Sequence, residues 1–179
     1  MMASNELTKV IVETELGAVT LGIDEAHAPI SAGAFLAYVD KGLLDGTTIY
    51  RIVNQINQAP EIVHRIEVIQ WGHTFGADDP LPFPPIPHEP TSVTGLRHQR
   101  GTISMARREV GTAGHAYFFC VGGDLESLDF GGGRNPDRQG FAAFGQVIDG
   151  WDVIDAIYNS AEPIEYMKSP LKVTSVRRA

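Results

Sequence analysis

Cysteine is almost missing from this chain of 179 residues: Cys120 stands alone, which excludes an intramolecular disulfide and leaves a thiolate zinc site without a second sulfur. Long apolar runs are missing too, and without roughly eighteen such residues in a row no helix is expected to cross a bilayer. Positive charge is scarce, with 14 Lys and Arg against 22 Asp and Glu and a net charge of −8. That deficit argues against nucleic acid or membrane as a partner, because both are held by Lys and Arg neutralising phosphates. The densest basic group, Arg97, Arg100, Arg107 and Arg108, is short and has no interleaved aromatics. Residues 1–8 carry no basic start followed by an apolar stretch, so no export signal is read there and a cytoplasmic protein is expected; a periplasmic one is the alternative if a leader has been removed.

Signatures of the common hydrolases are equally absent. The chain has no Gly-x-Ser-x-Gly, no His-Glu-x-x-His and no carboxylate pair at a fixed helical offset. Six histidines, His27, His64, His73, His88, His98 and His115, are scattered without ligand spacing on any predicted helix, so no metal is expected and they read as solvated or hydrogen-bonded loop residues. The run Gly131-Gly132-Gly133 lacks the Gly-Lys-Ser/Thr ending and the strand-to-helix setting of a phosphate loop. No cofactor is implied.

What is present is a globular composition, 43% hydrophobic and 20% charged, read as a single domain over 1–179 with no repeat or linker. β-Branched runs at 10–14 and 19–23 around Leu16-Gly17 signal a hairpin. Pro29 suits the first turn of a helix, and Phe35, Leu36, Tyr38 and Val39 supply its apolar stripe over 29–41 before Gly42 ends it. Strands are predicted at 48–53, 66–71, 102–106, 117–121, 141–147 and 171–176, and Trp151, Val153, Ile154 and Ile157 mark a second helix over 150–158. Residues 54–60 read as a loop. Residues 73–90 hold six prolines between Pro80 and Pro90, which fixes φ and removes donors, so an extended surface loop is predicted, with Leu81, Phe83 and Ile86 packed down on the domain. About eight short strands with two helices predict an all-β protein, a closed barrel with helical caps, in which closure removes the sheet edges.

Six segments carry more. In order they are Tyr50-Arg51-Ile52-Val53, Val68-Ile69-Gln70, Gly101-Thr102-Ile103-Ser104-Met105-Ala106-Arg107, Phe118-Phe119-Cys120, Ser127-Leu128-Asp129-Phe130 and Gly140-Phe141-Ala142-Ala143-Phe144-Gly145-Gln146-Val147. With them the chain resembles the cyclophilins, the cyclophilin-type peptidyl-prolyl cis-trans isomerases, as a divergent, bacterial-like member, over about 10–177. The resemblance implies a closed eight-stranded antiparallel barrel capped by two α-helices, isomerase activity on X-Pro bonds, a role as folding helper, proline-containing polypeptides as partners, and a monomer without cofactor or metal. It puts Arg51 in the place of the catalytic arginine and Gln70 in that of its glutamine neighbour. Val68, Met105, Phe118 and Leu128 look like the walls and floor of a proline pocket. Tyr50 and Phe141 fall where the family has an aromatic or a histidine, and Ala106 and Arg107 match the backbone stretch that pairs with an extended substrate. Ala116 stands where a substrate-binding glutamine or glutamate is usual, with His115 beside it.

The chemistry suits these residue types. Amide resonance sets a barrier of about 18–20 kcal/mol, and X-Pro exchange takes tens to hundreds of seconds. At the twisted state the imide nitrogen gains a lone pair, and a fixed guanidinium stabilises that state more than the planar one. An apolar socket holds the ring while the preceding carbonyl turns, and no nucleophile is needed. Departures from the family pattern predict an altered pocket: Trp71 replaces a glycine, Glu67 a phenylalanine and Ser127 an aromatic, the last implying weak cyclosporin binding, and eighteen residues separate Arg51 from Gln70, an insertion. Two rivals follow, a proline-peptide binding module that has lost turnover and a scaffold working through the Pro80 to Pro90 loop.

Overall fold

Alternation in the sequence sets the architecture. Val10 and Val12 of strand β1 (Thr8–Thr14) and Val19, Leu21 and Ile23 of β2 (Gly17–Ile23) are sealed from solvent, and apart from the buried Gly22 the residues between them are more exposed. Six further strands follow, β3 (Thr48–Val53), β4 (Ile66–Gly72), β5 (Thr102–Met105), β6 (Ala116–Gly123), β7 (Ala143–Asp149) and β8 (Tyr166–Arg178). The computed structural model describes residues 6–179; of the stretch read for an export signal, residues 1–5 lie outside the described residues. It closes the eight strands into a barrel in the order β1-β2-β7-β5-β6-β4-β3-β8, every pairing antiparallel. Helices α1 (Pro29–Asp40) and α3 (Trp151–Tyr158) are the two expected caps. The single-turn α2 (Thr91–Thr94) and a 3-10 turn at Leu125–Leu128 were not predicted, because four residues are too few to show a period. No helix among the described residues is long and apolar enough to cross a membrane.

The interior is aromatic. Phe35 of α1 meets Tyr117 edge-on at 4.9 Å and Trp71 at 6.3 Å, and Trp71 lies 5.6 Å from Phe119. Trp71, expected to crowd the pocket, is instead fully buried inside the barrel, with its indole N–H unpartnered. The reason is parity: in a strand, neighbours point to opposite faces, so Trp71 faces inward where Gln70 faces out. A second cluster, Val53, Ile66, Val68, Phe118, Cys120, Leu125 and Leu128, forms on the other face of the same strands.

Two boundaries differ from expectation. Strand β8 starts at Tyr166 and runs through Pro170; its register jumps from Ile49↔Leu171 to Arg51↔Tyr166, so the residues between bulge away and Pro170 owes no ladder hydrogen bond. Phe141 and Ala142 lie outside β7, where the Phe141 amide donates to the Leu128 carbonyl at 2.9 Å.

The proline-rich segment packs down through Phe83, 5.1 Å edge-on to Tyr38, and through Ile86, whose amide donates to the Ala113 carbonyl at 3.0 Å; Leu81 is half-buried but does not join the side chains packed on the core. It also supplies a helix cap. Ala28 at the start of α1 has no side chain to offer, and the buried Glu89 carboxylate accepts from the amides of Ile30 (3.1 Å) and Ser31 (2.9 Å) instead. A carboxylate there satisfies two orphan donors and opposes the helix dipole.

Candidate active site

A bulge in β3 builds the polar wall. Ile49 pairs with Trp71 and Arg51 with Gln70, so Tyr50 is an extra residue, and both Tyr50 and Arg51 face outward between the inward-facing Ile49 and Ile52. The Arg51 guanidinium is held on two sides. Its Nε and Nη2 donate to Glu165 Oε2 at 3.1 and 2.9 Å, and its Nη1 donates to Gln70 Oε1 at 2.9 Å. Gln70 Nε2 in turn donates to the Tyr50 hydroxyl at 2.8 Å. Burial pushes the Tyr50 phenol above its ordinary value, so it stays protonated at neutral pH. Tyr166 lies 5.4 Å from the guanidinium and 6.5 Å from the Tyr50 ring, closing the wall with a cation–π contact.

Beside that wall runs an open groove of about 560 Å³ whose apolar lining includes Val68, Ala106, Ala116, Phe118 and Phe141. Phe118 and Phe141 meet edge-to-face at 5.5 Å and 90°. Behind Phe118 the His98 ring lies parallel at 6.1 Å, its Nδ1 2.8 Å from Asp129 Oδ1 and its Nε2 2.8 Å from Ser104 Oγ. Serine, histidine and aspartate in that order make a nucleophilic triad when a substrate can reach the serine. Here Ser104 and the His98 ring are both 0% exposed, so they brace Phe118 from behind. His98 is thus a hydrogen-bonded loop residue, as expected, and a buried one. Burial works to raise the Asp129 carboxyl, but the hydrogen bonds from the His98 ring and amide outweigh it and hold it below the ordinary value. Cys120 lies beneath, where burial pushes its thiol far up and leaves it unreactive.

At the other end of the groove Phe75 stacks on His73 at 4.6 Å and meets His115 at 5.3 Å. Burial lowers both histidines below their ordinary value, and for His115 the charges of His73 and Arg108 add to it. Arg107 does not reach for solvent. Its Nε and Nη2 donate to the Gly140 carbonyl at 2.9 and 2.7 Å, its Nη1 and Nη2 bind Asp137 at 3.0 Å, and its guanidinium lies 4.9 Å from the Phe141 ring, which fixes that ring in the groove. Among the described residues the Ala106 carbonyl and the Arg107 amide have no backbone partner, while the Ala106 amide is tied to the Ala116 carbonyl.

The groove therefore gathers Tyr50, Arg51, Val68, Gln70, Ala106, Arg107, Ala116, Phe118 and Phe141. Two residues expected there are elsewhere. Met105, 1% exposed, points into the barrel because strand parity puts it on the face opposite Ala106. Leu128 is fully buried under Phe118 and Phe141 as part of the second cluster, supporting the pocket without lining it. Glu67 turns to α3, accepting from the Tyr158 hydroxyl at 2.6 Å. The inserted loop leaves the groove open: Asn57 Nδ2 donates to the Ile52 and Glu162 carbonyls, and Gln58 Nε2 to those of Asn54 and Ile66, folding 54–65 away. Sequence reasoning missed Glu165, Tyr166, Arg134 and Phe75, which reach the site from loops and a strand end that carry no periodic signal. The one available hint was Tyr166, an aromatic four residues ahead of Pro170.

Comparison with known proteins bears on the family and the fold. The model of the family described as cyclophilin type peptidyl-prolyl cis-trans isomerase/CLD matches residues 9–178. Peptidyl-prolyl cis-trans isomerase A of Dickeya dadantii is 32% identical over 158 residues, 87% of this chain and 73% of that protein. A peptidyl-prolyl cis-trans isomerase of Streptomyces antibioticus is 32% identical over 152 residues, 84% of this chain and 83% of its own length. Among solved structures, a cyclophilin type isomerase of Cryptosporidium parvum superposes with a TM-score of 0.72 at 17% identity, covering 97% of this chain and 98% of that one.

Proposed function

We propose, for a chain that belongs to the family of cyclophilin-type peptidyl-prolyl cis-trans isomerases, that rotation about X-Pro bonds is catalysed at Arg51. The observation that carries the assignment is the guanidinium held by Gln70 and Glu165 beside the Val68, Phe118 and Phe141 socket. A guanidinium has five N–H donors, and with three engaged two remain for the substrate. The proline ring enters the apolar socket, and the chain around it runs extended along the free Ala106 carbonyl and Arg107 amide. As the preceding carbonyl turns, the imide nitrogen pyramidalises and its new lone pair meets the fixed N–H groups. The donors are already oriented, so stabilisation of the twisted state costs no reorganisation. The socket keeps the ring still and excludes water that favours the planar amide.

Glu165 is a positioning residue: it fixes the angle of the guanidinium and touches no substrate atom. Proline-containing peptides are the substrates, in keeping with the Cryptosporidium protein, which was crystallised in the presence of the dipeptide Ala-Pro. A folding-helper role follows from that chemistry. A monomer is proposed as well, supported by the closed barrel, which leaves no strand edge for a partner; size-exclusion chromatography with light scattering checks it. A protease-coupled or NMR-exchange assay on an X-Pro peptide, comparing the wild type with Arg51→Ala, tests the assignment. Equal rates in the two proteins would remove Arg51 from the mechanism.

A further inference from the structure

The groove is cationic in an acidic protein. Its lining includes Arg51, Arg107, Arg108 and Arg134 and no Asp or Glu; His73 and His115, lowered by burial, add no charge at neutral pH. Two of the arginines are neutralised from behind the wall, Arg51 by Glu165 and Arg107 by Asp137. Arg108 and Arg134 are not. Arg108, exposed, donates Nη2 to the Phe75 carbonyl at 2.7 Å. Arg134, half-buried, donates Nη1 to the His64 carbonyl at 2.9 Å and has only a long contact of 3.4 Å to Gln58. Neither forms an ion pair among the described residues; of the arginines outside the groove, Arg100, Arg177 and Arg178 do, with Asp155, Glu13 and Asp40, and Arg65, Arg97 and Arg138 do not.

Both free cations act on the catalytic corner. Arg108 exerts its field on the Tyr50 hydroxyl, and Arg134 lies close enough to feel the charge of Arg51. Burial and the like charges of Arg51 and Arg65 lower the Arg134 guanidinium from its ordinary value, with Glu165, already engaged by Arg51, only partly opposing them. The net charge of −8 does not undo this, because exposed charges more than about 8 Å away are largely screened at physiological salt, while those within the groove act over shorter distances and are screened less.

We propose that this groove selects X-Pro segments that carry an anionic side chain, a carboxylate or a phosphate ester, within about two residues of the proline, and that Arg108 and Arg134 are the residues that select it. The inference rests on the isomerase reading of the groove and adds its substrate class.

The test uses the full chain and a peptide series differing at one position flanking Ala-Pro: Glu, phosphoserine, Gln and Lys. The quantity read is the ratio of kcat/KM between peptides within each protein, so a change in overall activity cancels. For the wild type, Glu over Gln is expected at 5–10-fold and Gln over Lys at a few-fold, on the scale of a charge-assisted hydrogen bond at a half-exposed site. Phosphoserine against Glu distinguishes the two sources of charge. Arg108→Gln combined with Arg134→Gln should bring Glu over Gln to about one, Arg134→Lys should keep it, and raising salt to about 0.5 M should shrink it in the wild type. Because Arg134 also ties down the loop at His64, Arg108→Gln alone, at an exposed position, should already lower the ratio by two- to three-fold. A wild-type ratio of one or below overturns the proposal, and so does a preference that survives in the double variant. Peptide dissociation constants from NMR titration give the same ratios without turnover, so absence of isomerase activity and absence of charge selection are read separately.

Discussion

Two apolar clusters share strands β4 and β6 and differ in what holds them. Inside the barrel Ile69, Trp71, Tyr117, Phe119 and Val121 pack in the sealed apolar cluster with α1, and the one polar tie among these side chains is the Tyr117 hydroxyl donating to the Gly114 carbonyl at 3.2 Å. On the outer face Val68, Phe118 and Cys120 rest on Leu125 and Leu128, and polar braces fix the aromatic rings from the sides: His98 behind Phe118, Arg107 over Phe141. The first cluster is sealed and stabilises the fold. The second is open along one side, and its free apolar surface is what a proline ring can occupy. Stability and function therefore read out on alternate residues of one strand, and substitutions at neighbouring positions should separate them.

The sharpest break is expected at Trp71. Trp71→Ala should destabilise the fold by about 3–5 kcal/mol, seen as a lower urea midpoint and Tm, while the isomerisation rate per folded molecule changes far less. Arg51→Ala, on the other face, should do the reverse, lowering kcat/KM by about 10²–10³-fold with stability within about 1 kcal/mol, a split checked by pairing the exchange assay with urea unfolding. Glu89→Ala should cost about 1–2 kcal/mol of stability, since it strips α1 of its distant cap, with no effect at the groove. Glu165→Ala should lower kcat/KM by about 5–10-fold, and Glu165→Gln, which keeps an acceptor for the guanidinium, should recover most of it.

The smallest effect is a pH dependence. His73 and His115 have folded values below the ordinary 6.5 and Asp129 one below the ordinary 3.8, so for each the unfolded chain binds its proton first as pH falls. The histidine contribution is complete above about pH 7 and is lost as pH falls through the folded values; the aspartate contribution follows the same sign below about pH 4. Urea midpoints at pH 7.5 and 5.5 should decline modestly, and replacing both histidines by Asn should flatten that decline.

Much of this was legible before any coordinates. Period-two alternation located the strands, Pro29 opened α1, and six ordered segments pointed to the groove. The misassignments have physical origins. For Met105, assigned from the resemblance, and Trp71, parity in a strand sends the side chain to the face opposite its groove-facing neighbour, and only the register fixes which face that is; Leu128, assigned the same way as Met105, sits in a 3-10 turn that tucks it under Phe118. Glu165 and Glu89 were invisible for a different reason. Each acts across long sequence separation, on Arg51 and on the start of α1, and such a contact leaves no local pattern in the chain. His98 is the hydrogen-bonded loop residue expected, yet its partners, Asp129 and Ser104, left no local sign, because they come together only when the barrel closes.

The added residue at Tyr50 has an unusual implication for how tolerant this strand is to shortening. Excising one position from a barrel strand normally turns everything beyond it inside out. Here the ladder already counts past Tyr50, so a chain lacking it would run Ile49, Arg51, Ile52 in simple in-out-in order and keep its guanidinium on the same side. The barrel has no need of that phenol; the catalytic corner alone would register its loss.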